Sequence, residues 1–177
     1  MTMPGGIDRA GTPGCRHRVY IGVGANMGDK LAACRQGLAA LEGCGAGRIV
    51  AVSRFYRTAP QDYVHQDWFV NGAALIETRL DPPALLQRLK AIEQGLGRRD
   101  GGPRFGPRPL DMDILLYDRL VLDSGPVVLP HPRLHKRRFV LQPLCDIGPE
   151  ERHPRLGKTM AELLSDPALA DQEVCAM

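Results

Sequence analysis

The period of the apolar positions changes along the chain, and each period predicts an element. VYIGVG (19–24) is a β-rich run that ends in glycine. From Asp29, a residue suited to an N-cap, the apolar side chains Leu31, Cys34, Leu38 and Leu41 recur at spacings of 3, 4 and 3. That spacing is one face of a helix, and GCGAG (43–47) ends it. RIVAVSRFYRT (48–58) predicts a strand, APQDYVHQD (59–67) a loop, and WFVNGAALIET (68–78) a second strand antiparallel to the first. Asp81 then caps a helix with Pro82 at its first position, whose apolar face is Leu85, Leu89, Ile92 and Leu96.

GLGRRDGGPRFGPRP (95–109) holds five glycines and three prolines in fifteen residues and cannot be regular structure. LDMDILLYD (110–118) is the next strand, with a short hairpin partner expected near LVLD (120–123). A helix is expected within 131–144 and a short one over 159–164. The order β-α-β-β-α-β predicts an α+β fold: a ferredoxin-like βαββαβ sandwich, an antiparallel sheet flanked by helices, with both early helices on one face. Residues 1–18, rich in Gly, Pro and Arg, read as a disordered N-terminal extension, 19–165 as the folded domain and 166–177 as a C-terminal tail.

Composition narrows the class. At 177 residues and 44% hydrophobic, the chain supports one well-packed domain. It has no run of the roughly 18 apolar residues that a membrane span needs. The five cysteines are scattered and lack a C-x-x-C pair, which fits reduced thiols in a cytoplasm better than a disulfide framework or zinc site. The net charge is only +3, yet Arg98–Arg108 and Arg133–Arg138 concentrate arginine so strongly that the remainder is net acidic. Such focusing suggests a local anion site, not a surface that coats nucleic acid.

Three motifs mislead. GVGANMG (22–28) has Met27 where the dinucleotide fingerprint needs glycine, and LGKT (156–159) has Arg152 where a P-loop needs its first glycine. His131 and His135 are four apart but flank Pro132 and have no third ligand nearby in sequence.

Asp111 and Asp113 carry the chemistry. On a strand they share one face, about 6.5–7 Å apart at the α-carbons, while Leu110, Met112 and Ile114 share the other. Two such carboxylates repel unless a cation sits between them. Magnesium suits the role, because it takes one or two carboxylates and leaves positions for substrate phosphates. The plainer alternative is a solvated strand end. The arginines of the adjoining loop, Arg98, Arg99, Arg104 and Arg108, with His131, Arg133 and Arg137, supply the guanidinium groups that phosphoryl transfer uses.

These residues resemble the 6-hydroxymethyl-7,8-dihydropterin pyrophosphokinase (HPPK) family. The blocks YIGVGANMGD, SRFYRTAP, FVNGAAL, IEQGLGR, RFGPRPLDMDILLY, LPHPRL and RRFVLQPL occur in order from about Val19 to Leu164. The resemblance implies transfer of diphosphate from ATP to the pterin hydroxymethyl group with release of AMP, in folate biosynthesis. It implies two Mg2+ ions, bound with ATP by Asp111 and Asp113, and a catalytic set completed by Arg98, Arg104 and Arg108. It places Gly24, Asn26, Thr58, Ala59, Pro60, Phe69, Asn71, Phe105 and Phe139 around the pterin, with Phe69 and Phe139 against its two faces. It places Glu93, Arg98, Arg108, His131 and Arg137 around ATP. A cytoplasmic monomer with small-molecule substrates, and with neither nucleic acid nor membrane as partner, is implied. Phe105 stands where tryptophan is frequent, and Asp100 where some members carry arginine. An RNA-binding α+β domain would share the topology, but the RNP signature is absent and the acidic pair would oppose a nucleic-acid backbone.

Overall fold

A computed structural model describes residues 16–61, 65–98 and 106–177. The strands are β1 (His17–Ala25), β2 (Arg48–Val52), β3 (Tyr56–Thr58), β4 (Phe69–Thr78), β5 (Asp111–Tyr117) and β6 (Val174–Ala176). They form one sheet in the order β5-β1-β4-β3-β6, with β2 also paired to β4, and every pairing is antiparallel. The helices are α1 (Lys30–Gly43), α2 (Pro82–Gly95), α3 (Arg138–Ile147) and α4 (Met160–Leu164).

The helices start where the sequence says they should. The Asp29 side chain accepts from the Ala32 amide, and Asp81 from the Ala84 amide, each satisfying an otherwise orphaned N–H. Thr159 and Glu162 close a reciprocal capping box at α4. The apolar stripe of α1 (Cys34, Leu38, Leu41) and of α2 (Leu85, Leu89, Ile92) buries against Val19, Ile21, Val23, Val70, Ala74, Ile76, Met112 and Ile114. Each large aliphatic side chain removed from water there contributes about 1.5–3 kcal/mol.

The opposite face is covered only in part. Tyr20, Ala73, Leu75, Leu115 and Leu116 meet Leu134, Val140, Leu141 and Leu144 of the α3 segment, with Met160 and Leu163 of α4 beside them. The α+β sandwich is as expected, but helices lie on both faces. A register shift between Tyr20 and Ile21 lets Leu115 and Leu116 both enter this second core.

Several local expectations are corrected. The single strand over 48–58 is broken at Ser53–Phe55, because the Arg54 amide leaves the ladder to bond Asp146 of α3 (3.1 Å). Residues 120–123 do not return beside β5; Leu122 makes only an isolated bridge to Leu129. The helix expected within 131–144 begins at Arg138, after a 3-10 turn at Leu134–Lys136. β1 starts at His17, inside the stretch read as disordered, and the segment read as a tail supplies β6 at the sheet edge.

Candidate active site

The uncovered part of the second face is a cleft at one end of the sheet. Across the register, Asp113 lies opposite Gly22, and Asp111 opposite Gly24, which in turn lies opposite Asn71. The alternation that sends Met112 and Ile114 into the closed core therefore sends both aspartates to the open side. The walls come from Thr58, Ala59 and Pro60 at the end of β3, Phe69 and Asn71 of β4, and His131, Arg137 and Phe139 near α3. Arg108 and Gly106 close the loop end.

Gly24 is required by close approach. A β-carbon there would land on the Asn71 carboxamide oxygen. Its absence lets Asn71 lie across the strand and donate to the Thr58 hydroxyl at 2.7 Å. That contact fixes the amide orientation and presents a polar edge to the cleft that Phe69 and Phe139 also line.

Asn26, almost fully buried, works from behind. Its amide nitrogen donates to Gln66 Oε1 (2.9 Å), and its oxygen accepts from the Arg108 amide (2.7 Å). The Asn26 amide also bonds the Arg108 carbonyl. One side chain thus joins the 65–67 segment to the end of the arginine loop.

The acidic pair is asymmetric. Asp111 is gripped on both oxygens, by Arg98 Nη1 and Arg108 Nη1, each at 2.6 Å. Asp113 has no hydrogen-bond partner among the described residues, and burial, with the Asp111 charge next, pushes its carboxyl up to about 6. Beneath them Glu93 is 0% exposed. Its carboxylate accepts from the Met112 amide between the two aspartates (2.7 Å), from Lys90 and from Arg98 (2.6 Å). Expected beside the nucleotide, Glu93 instead reaches the cleft through Arg98.

His131 is held neutral. Burial, reinforced by Arg137 and Arg133, lowers it to about 4. Its Nδ1 accepts from the Arg133 amide, so the proton sits on Nε2 as a donor. The Arg137 guanidinium lies 5.3 Å from the Phe139 ring centroid.

The expected site residues thus converge, with Asn26, Glu93 and Arg98 acting from behind the lining. Arg104 and Phe105, with Arg99 and Asp100, lie outside the described residues. Gln66 and Gly22 also line the cleft, although nothing in their local sequence signals it. The carboxylates fit a hard cation. They are oxygen donors, one lacks a partner, and no third His, Cys, Asp or Glu joins them among the described residues. Other coordination positions are left to ligand oxygens. The described cysteines, Cys34, Cys44, Cys145 and Cys175, are free thiols, and no described helix is long and apolar enough to cross a membrane.

Comparison with known proteins agrees with this geometry. Residues 20–149 match the family model described as 7,8-dihydro-6-hydroxymethylpterin-pyrophosphokinase (HPPK). The 2-amino-4-hydroxy-6-hydroxymethyldihydropteridine pyrophosphokinase of Methylorubrum extorquens is 44% identical over 137 residues, covering 75% of this chain and 84% of the relative. The enzyme of that name from Pseudomonas aeruginosa is 42% identical, covering 84% and 90%. The mitochondrial folate synthesis bifunctional protein of Arabidopsis thaliana is 41% identical over 74% of this chain, which spans only 23% of that longer protein. Among solved structures, wild-type Plasmodium falciparum HPPK-DHPS with pteroate superposes with a TM-score of 0.68 at 14% identity, covering 88% of this chain and 43% of that one. At that identity the likeness shows the fold alone.

Proposed function

The chain belongs to the 7,8-dihydro-6-hydroxymethylpterin-pyrophosphokinase family, and we propose that its cleft joins ATP and the pterin alcohol on two magnesium ions. Pyrophosphokinase activity in folate synthesis is the function its full-length relatives are named for. The reaction moves the terminal diphosphate of ATP to the hydroxymethyl oxygen and releases AMP. The observation that carries this reading is the juxtaposition, in one cleft, of paired acids and arginines with an Asn–Thr edge and two phenylalanines.

Asn71 and Thr58 offer hydrogen-bonding groups to the rim of a flat heterocycle, while Phe69 and Phe139 offer apolar walls to its faces. Asp111 and Asp113 would hold magnesium, which would supply Lewis-acid stabilisation of phosphate charge and would make the attacking hydroxyl more acidic. Arg98 and Arg108, held beside Asp111, would meet the charge that spreads during transfer, and His131 offers Nε2–H. Because His131 is neutral and Glu93 is sealed, neither supplies an open general base. We place the enzyme in the cytoplasm as a monomer, consistent with its free thiols and small-molecule substrates.

Incubation with ATP, magnesium and the reduced pterin alcohol should yield AMP and the pterin diphosphate in equal amounts. ADP as the nucleotide product would refute diphosphate transfer.

A further inference from the structure

Two walls of the cleft come from distant parts of the chain: Thr58, Ala59 and Pro60 at the end of β3, and Arg137 and Phe139 at the start of α3. The α3 N-terminus has no capping side chain of its own, and β3 is only three residues long. A third segment, the last residues of the chain, bonds both.

On one side, β6 pairs with β3, setting Val174 opposite Thr58. The Ala59 amide donates to the Glu173 carbonyl at 3.2 Å, and the Met177 amide to the Phe55 carbonyl at 3.1 Å. On the other side, the Gln172 side chain spans the peptides flanking Arg137. Its Oε1 accepts from the Arg138 amide at 2.8 Å, and its Nε2 donates to the Lys136 carbonyl at 3.0 Å. An amide donor on one side and a carbonyl on the other leave the carboxamide one orientation. Gln172 is therefore the missing cap of α3, supplied from 34 residues away. A second strut runs from Arg138 Nη1 to the Ala170 carbonyl.

We infer that residues 170–177 form a strap that sets the spacing of the pterin slot, with Gln172 as a positioning residue for Arg137 and Phe139. The inference rests on reading this cleft as the pterin site. The strap joins the wall that carries Phe139 to β3, whose Thr58 pairs with Phe69 of β4, so it bears on the separation of the two rings, across which dispersion contacts fall steeply with a gap of 0.5–1 Å. Gln172 touches no expected substrate position. Its effect must pass through the wall it holds.

The test is Gln172→Ala, followed by titration with the pterin alcohol and, separately, by thermal unfolding. Loss of two hydrogen bonds on an exposed strap should weaken pterin binding about three- to tenfold. The KM for the pterin should rise with it, while kcat at saturating pterin stays within about twofold and the protein remains folded. Unchanged pterin affinity in a folded variant overturns the inference. If that variant fails to fold, amide exchange on the wild type decides instead. Saturating pterin should slow exchange at Ala59 and Arg138 together with residues 172–177, and unaltered exchange across the strap would overturn it. Wild-type protein that binds no pterin would overturn the reading of the cleft itself, a result distinct from equal binding by wild type and variant.

Discussion

The two faces of the sheet use the same strands to opposite ends. On the α1–α2 face the strands present mainly aliphatic side chains, among them Val19, Ile21, Val23, Val70, Ala74, Ile76, Met112 and Ile114, packed under the two helices. On the other face the far half is covered likewise by α3 and α4, whereas the near half carries Gly22, Gly24, Asn71, Asp111 and Asp113 and faces the cleft that Phe139 and Val140 of α3 border. Residues one apart in sequence therefore answer to different demands. Met112 is fully buried, and its neighbours Asp111 and Asp113 are held where a well-packed core would never place them. Stability is written on one side of the strand and chemistry on the other.

The sharpest break of that comparison is at the acids. Asp113→Asn should lower turnover at least about a thousandfold, the scale seen when charge-handling groups of phosphoryl transfer are lost, and Arg108→Ala should do similar damage. Asp113→Asn should also stabilise the metal-free protein. The Asp113 carboxyl is raised to about 6, so the folded state holds a proton that the unfolded chain, near 3.9, has released. That contribution is present at low pH and lost as pH rises through about 4 to 6. The asparagine variant escapes the loss and should melt higher than wild type above pH 6, with the gap closing below pH 4. A melting point that falls in parallel with activity would mean that the two sides of the strand are not separable.

A pair of glycines sharpens the comparison at smaller cost. Gly24→Ala, whose new methyl meets Asn71, should weaken pterin binding about tenfold, equivalent to misplacing one good polar contact. Gly37→Ala, on α1, sets a β-carbon 2.8 Å from the buried Leu110 Cδ2. Overpacking costs about 1–3 kcal/mol, partly offset by up to about 1 kcal/mol of helix propensity. This variant should lose stability and keep its turnover per folded molecule. Equal effects of both on binding would erase the division between faces.

The smallest effect is a pH slope. His131 is lowered to about 4, so between about 4 and 6.5 the unfolded chain binds a proton that the folded state refuses. Stability should fall as pH drops through that window. Because this opposes Asp113, it is best read in the Asp113→Asn background, where His131→Gln should flatten the slope.

Much of this was legible in the sequence, for reasons that differ by residue. The period of two over LDMDILLY placed both aspartates on one face, and the 3-4 spacing gave α1 and α2 their buried stripes. The breaks escaped. Ser53–Phe55 leaves the strand because Asp146, on α3, takes the Arg54 amide, and no local pattern encodes that partner. β6 is three residues long and exists only as a neighbour to β3. In the site, Phe69, Asn71 and Phe139 were visible through resemblance alone, since an aromatic or an amide in a strand is ordinarily structural. Gln66 and Gln172 gave no signal, because their meaning lies wholly in backbone or side-chain groups distant in sequence.

The grip of Arg98 and Arg108 on Asp111 has a consequence for how the cleft fills. Asp111 is already neutralised internally, so under the proposed function a polyphosphate arriving with its cation would trade partners, guanidinium turning to phosphate and carboxylate to cation. Little net charge is created or destroyed in the swap. Ionic strength should therefore weigh on nucleotide affinity far less than the crowding of arginines would suggest.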